Sequence, residues 1–329
     1  MSSRATLGEC AIAAVPLCTN QGFISIVCNP EIDNRFLLYW IKQNASYISR
    51  FSAGTTFLEI PRRTFGRLRV CLPISEQEQA RIADLINAVD RTIAATQASI
   101  AAVHKLKRGL MQNLLTGKLK PDGAWRRDDE FDIDPKFGRV PKGWHLVPVK
   151  DATENLDSKR KPVKSEDRAL VQGTYPYYGA SGIVDYVNDY IFDGEYILFG
   201  EDGENLLSRK VPLAFIVRGK FWANNHAHVL QARKGYDIEF ICDQLESNDY
   251  RRLVIGSAQP KINQAQLAKV RICAPDYEQQ VEITKVIGTV KKVVRDKEGK
   301  LIVLQKLKKS LMQNLLTGKV RIPPDLKIE

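Results

Sequence analysis

The sequence predicts an α+β chain written twice: two mixed globular domains, the first of them partial, each followed by one long coiled-coil helix. Three observations predict it. The stretch "LMQNLLTGK" stands at Leu110–Lys118 and again, letter for letter, at Leu311–Lys319. Short β-rich runs such as "FISIV", "YILFG" and "PLAFIV", punctuated by Gly, Asn and Asp, precede Pro73 in the first copy and Pro275 in the second. After each proline, apolar residues recur at steps of three and four over about 40 residues.

The duplication extends well beyond the nine identical residues. "VHKLKRGLMQNLLTGKLK" (Val103–Lys120) lies over "LQKLKKSLMQNLLTGKVR" (Leu304–Arg321) without a gap. Further back, "RVCLP" (Arg69–Pro73) meets "RICAP" (Arg271–Pro275), and Gly54 with Ile60 meets Gly256 with Ile262. "FLLYWIKQN" (Phe36–Asn44) meets "FICDQLESN" (Phe240–Asn248), and Asn20-Gln21 meets Asn224-Asn225. Because the order is kept throughout, the architecture itself is duplicated. The second copy runs from Gly143 to Lys319 but the first only from Met1 to Lys118, so about 59 residues of the second lack a counterpart. Met1 is therefore expected to fall inside a domain.

These boundaries divide the chain into a partial first domain (1–74), a first long helix (75–118), a linker (119–142), a complete second domain (143–276), a second long helix (277–319) and a tail (320–329). In the first helix the stripe runs through Ile82, Leu85, Ile86, Val89, Ile93, Ile100, Val103, Leu106, Leu110 and Leu114, with Thr96 at its one polar position. The second repeats it from Ile283 to Leu315, with Lys297 at the place of Thr96. A period near 3.5 residues is that of a coiled coil, and each helix would extend roughly 60 Å. Gly117 and Gly318 stand where C-terminal caps are expected, and "RIPP" (Arg321–Pro324) closes the second helix. The linker is rich in Pro, Gly and charge, with Trp125 and Phe131 as its expected anchors.

Of 329 residues, 49 are Lys or Arg and 38 Asp or Glu, a net charge of +11 that favours a polyanionic partner. The six cysteines show no C-x-x-C spacing, which fits reduced thiols in a cytoplasm. No apolar run approaches the roughly 20 residues that a membrane span needs. No glycine-rich phosphate loop and no nucleophile elbow occurs, so an enzyme acting alone is disfavoured and no catalytic residue is assigned. Two histidines of "NNHAH" (Asn224–His228) have a ligand-like spacing, but no further donor accompanies them, and no metal site is expected.

Nucleic-acid contact is the chemistry that the remaining segments suggest. Lys159, Arg160 and Lys161 of "DSKRKPVK" suit phosphates, while Tyr175, Tyr177, Tyr178 and Ser181 of "YPYYGASG" suit base edges or backbone. Arg209 and Lys210 add cations, and Asn224, Asn225 and His226 add donors, Asn being able to pair bidentately with adenine. In the first copy Ser3, Arg4, Asn20 and Gln21 occupy similar places. A DNA-reading role requires the cations to gather on one face; a purely structural coiled-coil adaptor would spread them evenly.

Together, "YPYYGASGIVDYV", "FDGEYILFGEDGENLLSR" and "FWANNHAHVL" in the second copy, "SSRATLGECAI" and "TNQGFISIV" in the first, the Gln-containing helix starts "PISEQEQARI" and "PDYEQQVEI", and the two "LMQNLLTGK" ends resemble a specificity subunit of a type I restriction-modification system, here N-terminally truncated. The resemblance implies two target-recognition domains held apart by two antiparallel helices, each domain reading half of a split double-stranded DNA site. It further implies a subunit without catalysis of its own that docks two methyltransferase subunits, which carry S-adenosylmethionine, and in the full complex restriction and translocase subunits. Two related domain-plus-helix units make a pseudo-two-fold object, suited to two half-sites and two copies of one partner.

Overall fold

The structure, a computed structural model, describes every residue except 5, 55–57, 252, 254–259, 324, 325 and 327–329. The Gly256 end of one repeat match and Pro324 of "RIPP" lie outside the described residues. In chain order the helices are α1 Asn34–Gln43, α2 Ala45–Ser49, α3 Arg62–Phe65, α4 Glu76–Leu115, α5 Val149–Ala152, α6 Ser165–Leu170, α7 Asn205–Ser208, α8 Ile238–Ser247, α9 Gln264–Lys269 and α10 Tyr277–Leu315. The strands are β1 Phe131–Asp134, β2 Gly138–Pro141, β3 His145–Pro148, β4 Thr153–Asn155, β5 Gln172–Gly179, β6 Gly182–Val187, β7 Phe192–Gly200, β8 Ala214–Ala223, β9 Ala227–Ala232 and β10 Arg271–Ala274. They form two compact units: unit 1 holds Met1–Ala102 and Val294–Glu329, unit 2 holds Val103–Val293.

Unit 1 is built on α1, an amphipathic helix whose start is fixed by Asp33, its carboxylate accepting from the backbone N–H of Arg35 and Phe36. Phe36, Trp40 and Ile41 of α1 form a core with Ile48, Ile60, Ile82 and Ile86, closed by Met312, Leu315 and Leu316. The first turns of α4 thus meet the last turns of α10, so the two run antiparallel. In unit 2 the complementary ends meet: Leu114 and Leu115 of α4 pack with Ile283 and Ile287 of α10, together with Trp144, Phe240 and Cys273. Thr96 fits its apolar surroundings because its hydroxyl donates to the Thr92 carbonyl one turn back, 2.7 Å away.

A six-stranded sheet in the order β4-β9-β7-β8-β5-β6 dominates unit 2. Only β5 and β8 pair in parallel; the other neighbours are antiparallel. One face carries Ile197, Phe199 and Leu230 against Ile241, Cys242 and Leu245 of α8. The opposite face is an aromatic layer, in which Phe192 stacks on Phe221 at 5.1 Å and Tyr178 and Tyr196 close the edges.

The repeated nine residues build the same helix end twice. Gly117 N–H donates to Leu114 and Leu119 N–H to Asn113; in the second copy Gly318 N–H donates to Leu315 and Val320 N–H to Asn314. This cap needs a left-handed residue, and Gly117 and Gly318 have φ of +65° and +71°. At Gly117 a Cβ would also stand 2.3 Å from Pro141, so no other residue fits. A second duplicated device is the buried glutamine at each helix start. Gln79 Oε1 accepts from Asp33 N–H, and its Nε2 donates to the carbonyls of Glu31 and Pro73. Gln280 does the same with Asp237, Gly235 and Pro275. Each glutamine ties the cap of α1 or α8 to the proline before the long helix.

The segment expected to be a plain linker is more ordered than its composition suggested. It contains the β1–β2 hairpin, Phe131 pairing with Pro141. Trp125 does not anchor it, being 62% exposed. The neighbouring Arg126 does, with its guanidinium over the Trp144 ring and donating to the Gly117 carbonyl at 2.6 Å.

Candidate nucleic-acid interface

In unit 2 the sheet register gathers four loops. Tyr177 and Tyr178 of β5 lie beside Trp222 and Ala223 of β8, so "YGAS" and "NNH" meet. Asn224 N–H donates to the Tyr178 carbonyl, Trp222 Nε1 to the Lys161 carbonyl, and Glu201 N–H to the His226 carbonyl. Tyr178, Ser181, Lys159, Lys161, Asn224, Asn225 and His226 therefore share one region, with Lys159, Lys161, Ser181, Asn225 and His226 exposed.

Other expected contacts are placed differently. Tyr177 is fully enclosed, under Arg168 and with its hydroxyl against the Val163 backbone, so it supports the loop and presents no face. Arg160 turns inward to Asp157 and Glu201 and donates to the carbonyls of Asn225 and Ala227. Arg209, the one non-glycine at positive φ among the described residues, is drawn to Glu246 of α8. Lys210 is exposed after it. Tyr175 stands apart with Tyr190, whose ring lies under Lys220 at 4.5 Å. Arg160 and Arg209 are thus withdrawn from the face on which the cations were expected to gather. Asn224 is a turn former: its Oδ1 accepts from His226 N–H at 2.8 Å, which takes up one of the two lone pairs of that oxygen.

Beneath these loops lies a buried charge network that the sequence reading missed. His228, 1% exposed, places Nδ1 2.5 Å from Asp157 Oδ2 and Nε2 2.9 Å from the Ile262 carbonyl. Asp157 also accepts from Val229 N–H, and Glu201 pairs with Arg160 and Lys261, each at 2.9 Å. Burial alone would raise the Asp157 and Glu201 carboxyls. The hydrogen bond from His228 and the Val229 N–H hold the first below its ordinary value, and Lys261 and Arg160 hold the second. The two histidines of "NNHAH" have separate duties, since His226 pairs at 2.8 Å with Asp202. Among the described residues no His, Cys, Asp or Glu group has the arrangement of a metal site. A buried network of this kind is distributed over 157, 160, 201, 228 and 261, so no local motif announces it.

Unit 1 repeats the frame with other side chains. Ser3 N–H donates to the Gly22 carbonyl and Ile60 N–H to the Ser3 carbonyl, as Glu201 does to His226 and Ile262 to Glu201. Asn20 Oδ1 accepts from Gly22 N–H, the turn that Asn224 makes in unit 2. Ser3 is buried within this frame, whereas Arg4, Asn20 and Gln21 are exposed. Arg4 is bridged to Glu59 and paired with its carboxylate at 2.8 Å; at the same place in unit 2, Asp202 is bridged to Lys261. The backbone is kept while the charges are exchanged.

The family model for the type I restriction modification DNA specificity domain matches residues 1–105 and 141–306. The chain belongs to this family of specificity subunits. It is 23% identical to the MjaIX specificity subunit of Methanocaldococcus jannaschii across 98% of the chain and 77% of that relative, and 23% identical to the MjaVIII subunit across 89% and 72%. A putative specificity subunit of Haemophilus influenzae is 35% identical over 143 residues, 44% of this chain and 36% of that protein. The solved S subunit of M. genitalium matches the fold with a TM-score of 0.61 at 17% identity, over 90% of this chain and 74% of that one. The specificity subunit therefore carries two copies of a DNA-recognition domain family, joined through long antiparallel helices. No helix among the described residues is long and apolar enough to cross a membrane.

Proposed function

We propose that this specificity subunit reads a bipartite double-stranded DNA target, one half with the domain at 1–74 and the other with that at 143–276, while its helices scaffold two methyltransferase subunits and, in the full complex, restriction and translocase subunits. The chain performs no reaction in this reading; S-adenosylmethionine belongs to the methyltransferase partner, and the assembly works in the cytoplasm. The observation that carries the bipartite reading is the retained frame with exchanged charges. Arg4 with Glu59 and Asp202 with Lys261 sit on equivalent backbone, so equivalent loops offer different chemistry to a base pair. A cation suits guanine O6 and N7, and a carboxylate accepts from cytosine N4. Phosphate contact falls to the exposed Lys159, Lys161 and Lys210, and base contact to Ser181, Asn225 and His226, with Arg4 and Gln21 in the first domain.

The inward turn of Arg160 and Arg209 favours a second reading, an adaptor that never touches DNA. Titration of fluorescent duplex with the purified chain separates the two. The DNA reading predicts that affinity falls roughly tenfold or more between about 50 and 200 mM salt, because Lys-phosphate contacts release counterions. Lys159→Ala with Lys161→Ala should flatten that slope. No association at low salt would leave the adaptor.

A further inference from the structure

The pair formed by His226 and Asp202 belongs to the second domain alone. Asn224, which turns the chain before His226, has its counterpart in Asn20, but two positions on the first domain has Gly22 where the second has His226. Across the loop, Arg4 stands at the place of Asp202. A backbone frame common to both domains therefore carries an imidazole against a carboxylate in one of them only. Packing does not call for the ring, because it is 47% exposed, whereas the carboxylate beside it is only 12% exposed.

The ring is held by its backbone and by one of its nitrogens. His226 N–H donates to Asn224 Oδ1 at 2.8 Å, and the His226 carbonyl accepts from Glu201 N–H at 2.8 Å. Nδ1 lies 2.8 Å from Asp202 Oδ2. Asp202 is fixed in turn, its backbone bridged to Lys261 and the next residue, Gly203, donating its N–H to the Pro260 carbonyl. Lys261 turns its ammonium to Glu201 at 2.9 Å, which leaves the Asp202 carboxylate to the imidazole.

An ionised carboxylate has no proton to give, so Nδ1 carries the hydrogen of that bond. In the neutral ring this settles the tautomer, and Nε2 is left as a lone pair. Nε2 has no hydrogen-bond partner among the described residues. A lone pair cannot meet a phosphate oxygen, itself an acceptor, which separates His226 from Lys159 and Lys161 nearby. In the major groove the base groups that donate are the exocyclic amines, adenine N6 and cytosine N4; guanine and thymine present acceptors there. A fixed acceptor therefore takes adenine or cytosine on the strand it faces and rejects guanine or thymine.

We propose that His226 determines specificity at one base pair of the second half-site, its Nε2 accepting from an exocyclic amine, and that Asp202 is the positioning residue that fixes the ring and its tautomer. The ring thus carries the accepting character of Asp202 outward. This rests on the DNA reading proposed above.

Two measurements on the full chain test it. Long-range proton–nitrogen correlation spectra, with the histidine nitrogens labelled, should show the His226 ring protonated on Nδ1 alone. Asp202→Asn should mix in the form protonated on Nε2, because a carboxamide can donate to Nδ1 as well as accept from it. Selection from randomised duplex DNA, with the chain assembled on methyltransferase subunits, reads the contact. His226→Ala should lower the preference for adenine or cytosine at one base pair by about fivefold and leave the other element unchanged. His226→Lys, which offers only donors, should turn that preference to guanine. Either variant assigns the His226 signal, so the test survives if one of them fails to fold. A ring carrying a proton on Nε2, a tautomer that Asp202→Asn does not alter, or an unchanged preference in the folded variants would overturn the proposal and leave the bipartite reading standing. Absence of any enriched element with the unaltered chain would remove that reading and the proposal with it.

Discussion

Replacing Gln280 by Ala should be among the most damaging single changes in unit 2, although the residue touches no ligand. The side chain is 1% exposed and makes three hydrogen bonds, to Asp237 N–H at 2.9 Å and to the carbonyls of Pro275 and Gly235 at 2.9 and 3.3 Å. Alanine leaves the Asp237 donor and the Pro275 acceptor without partners, at about 1–3 kcal/mol each. The vacated volume adds about 1 kcal/mol. The sum, about 3–7 kcal/mol, corresponds to a fall in melting temperature of about 6–28 °C for a unit of this size. Gln280→Met, which restores volume but no hydrogen bonds, should recover only the cavity share. Thermal unfolding followed by circular dichroism measures all of this. A shift below about 2 °C for Gln280→Ala would refute the clamp. Gln79, with the equivalent partners Asp33, Glu31 and Pro73 in unit 1, predicts a loss of the same size for Gln79→Ala.

Two further outcomes are expected. Leu114→Asp, at a position 1% exposed between the helices, should cost several kcal/mol by burying a charge, whereas Leu106→Asp, 53% exposed, should cost little; equal melting temperatures would remove Leu114 from the seam. In acid, Asp157 and Glu201, whose folded carboxyls titrate below their unfolded values, contribute stability that is complete above about pH 4–5 and lost as pH falls through the lower folded values. Asp243, raised by burial despite Lys291, acts in the opposite sense and is relieved on protonation. Asp157→Asn with Glu201→Gln should therefore flatten the acid slope of the melting temperature, and an unchanged slope would show that the network does not govern it.

The long helices were legible because packing writes them into a period. Their C-terminal glycines and most of their stripe agree with the structure, Leu106 and Leu307 being the exceptions at 53% and 45% exposed, and the nine repeated residues resolve into one cap built twice. The strand content of unit 2 was legible only as texture, since β-rich runs do not state which neighbours they pair with. For the candidate interface, the sequence offered residue types but not their orientation. Exposed lysines and the "NNH" turn emerged where donors cluster in sequence, but Tyr177, Arg160 and Arg209 were misplaced because composition cannot tell an inward side chain from an outward one. Asp157, Glu201, His228 and Lys261 were overlooked for a related reason. Each is unremarkable in its own segment, and only the fold brings the four together. The linker hairpin was hidden by its Pro, Gly and charge.

Selection of binding sites from randomised duplex DNA, with the chain assembled on methyltransferase subunits, decides whether the two domains read a split site. Two short enriched elements separated by a spacer of fixed length and free sequence are expected. Asp202→Arg with Lys261→Glu should alter one element and leave the other unchanged, at about 1–3 kcal/mol per altered base pair. A single contiguous element, or the absence of any enriched sequence, would contradict it.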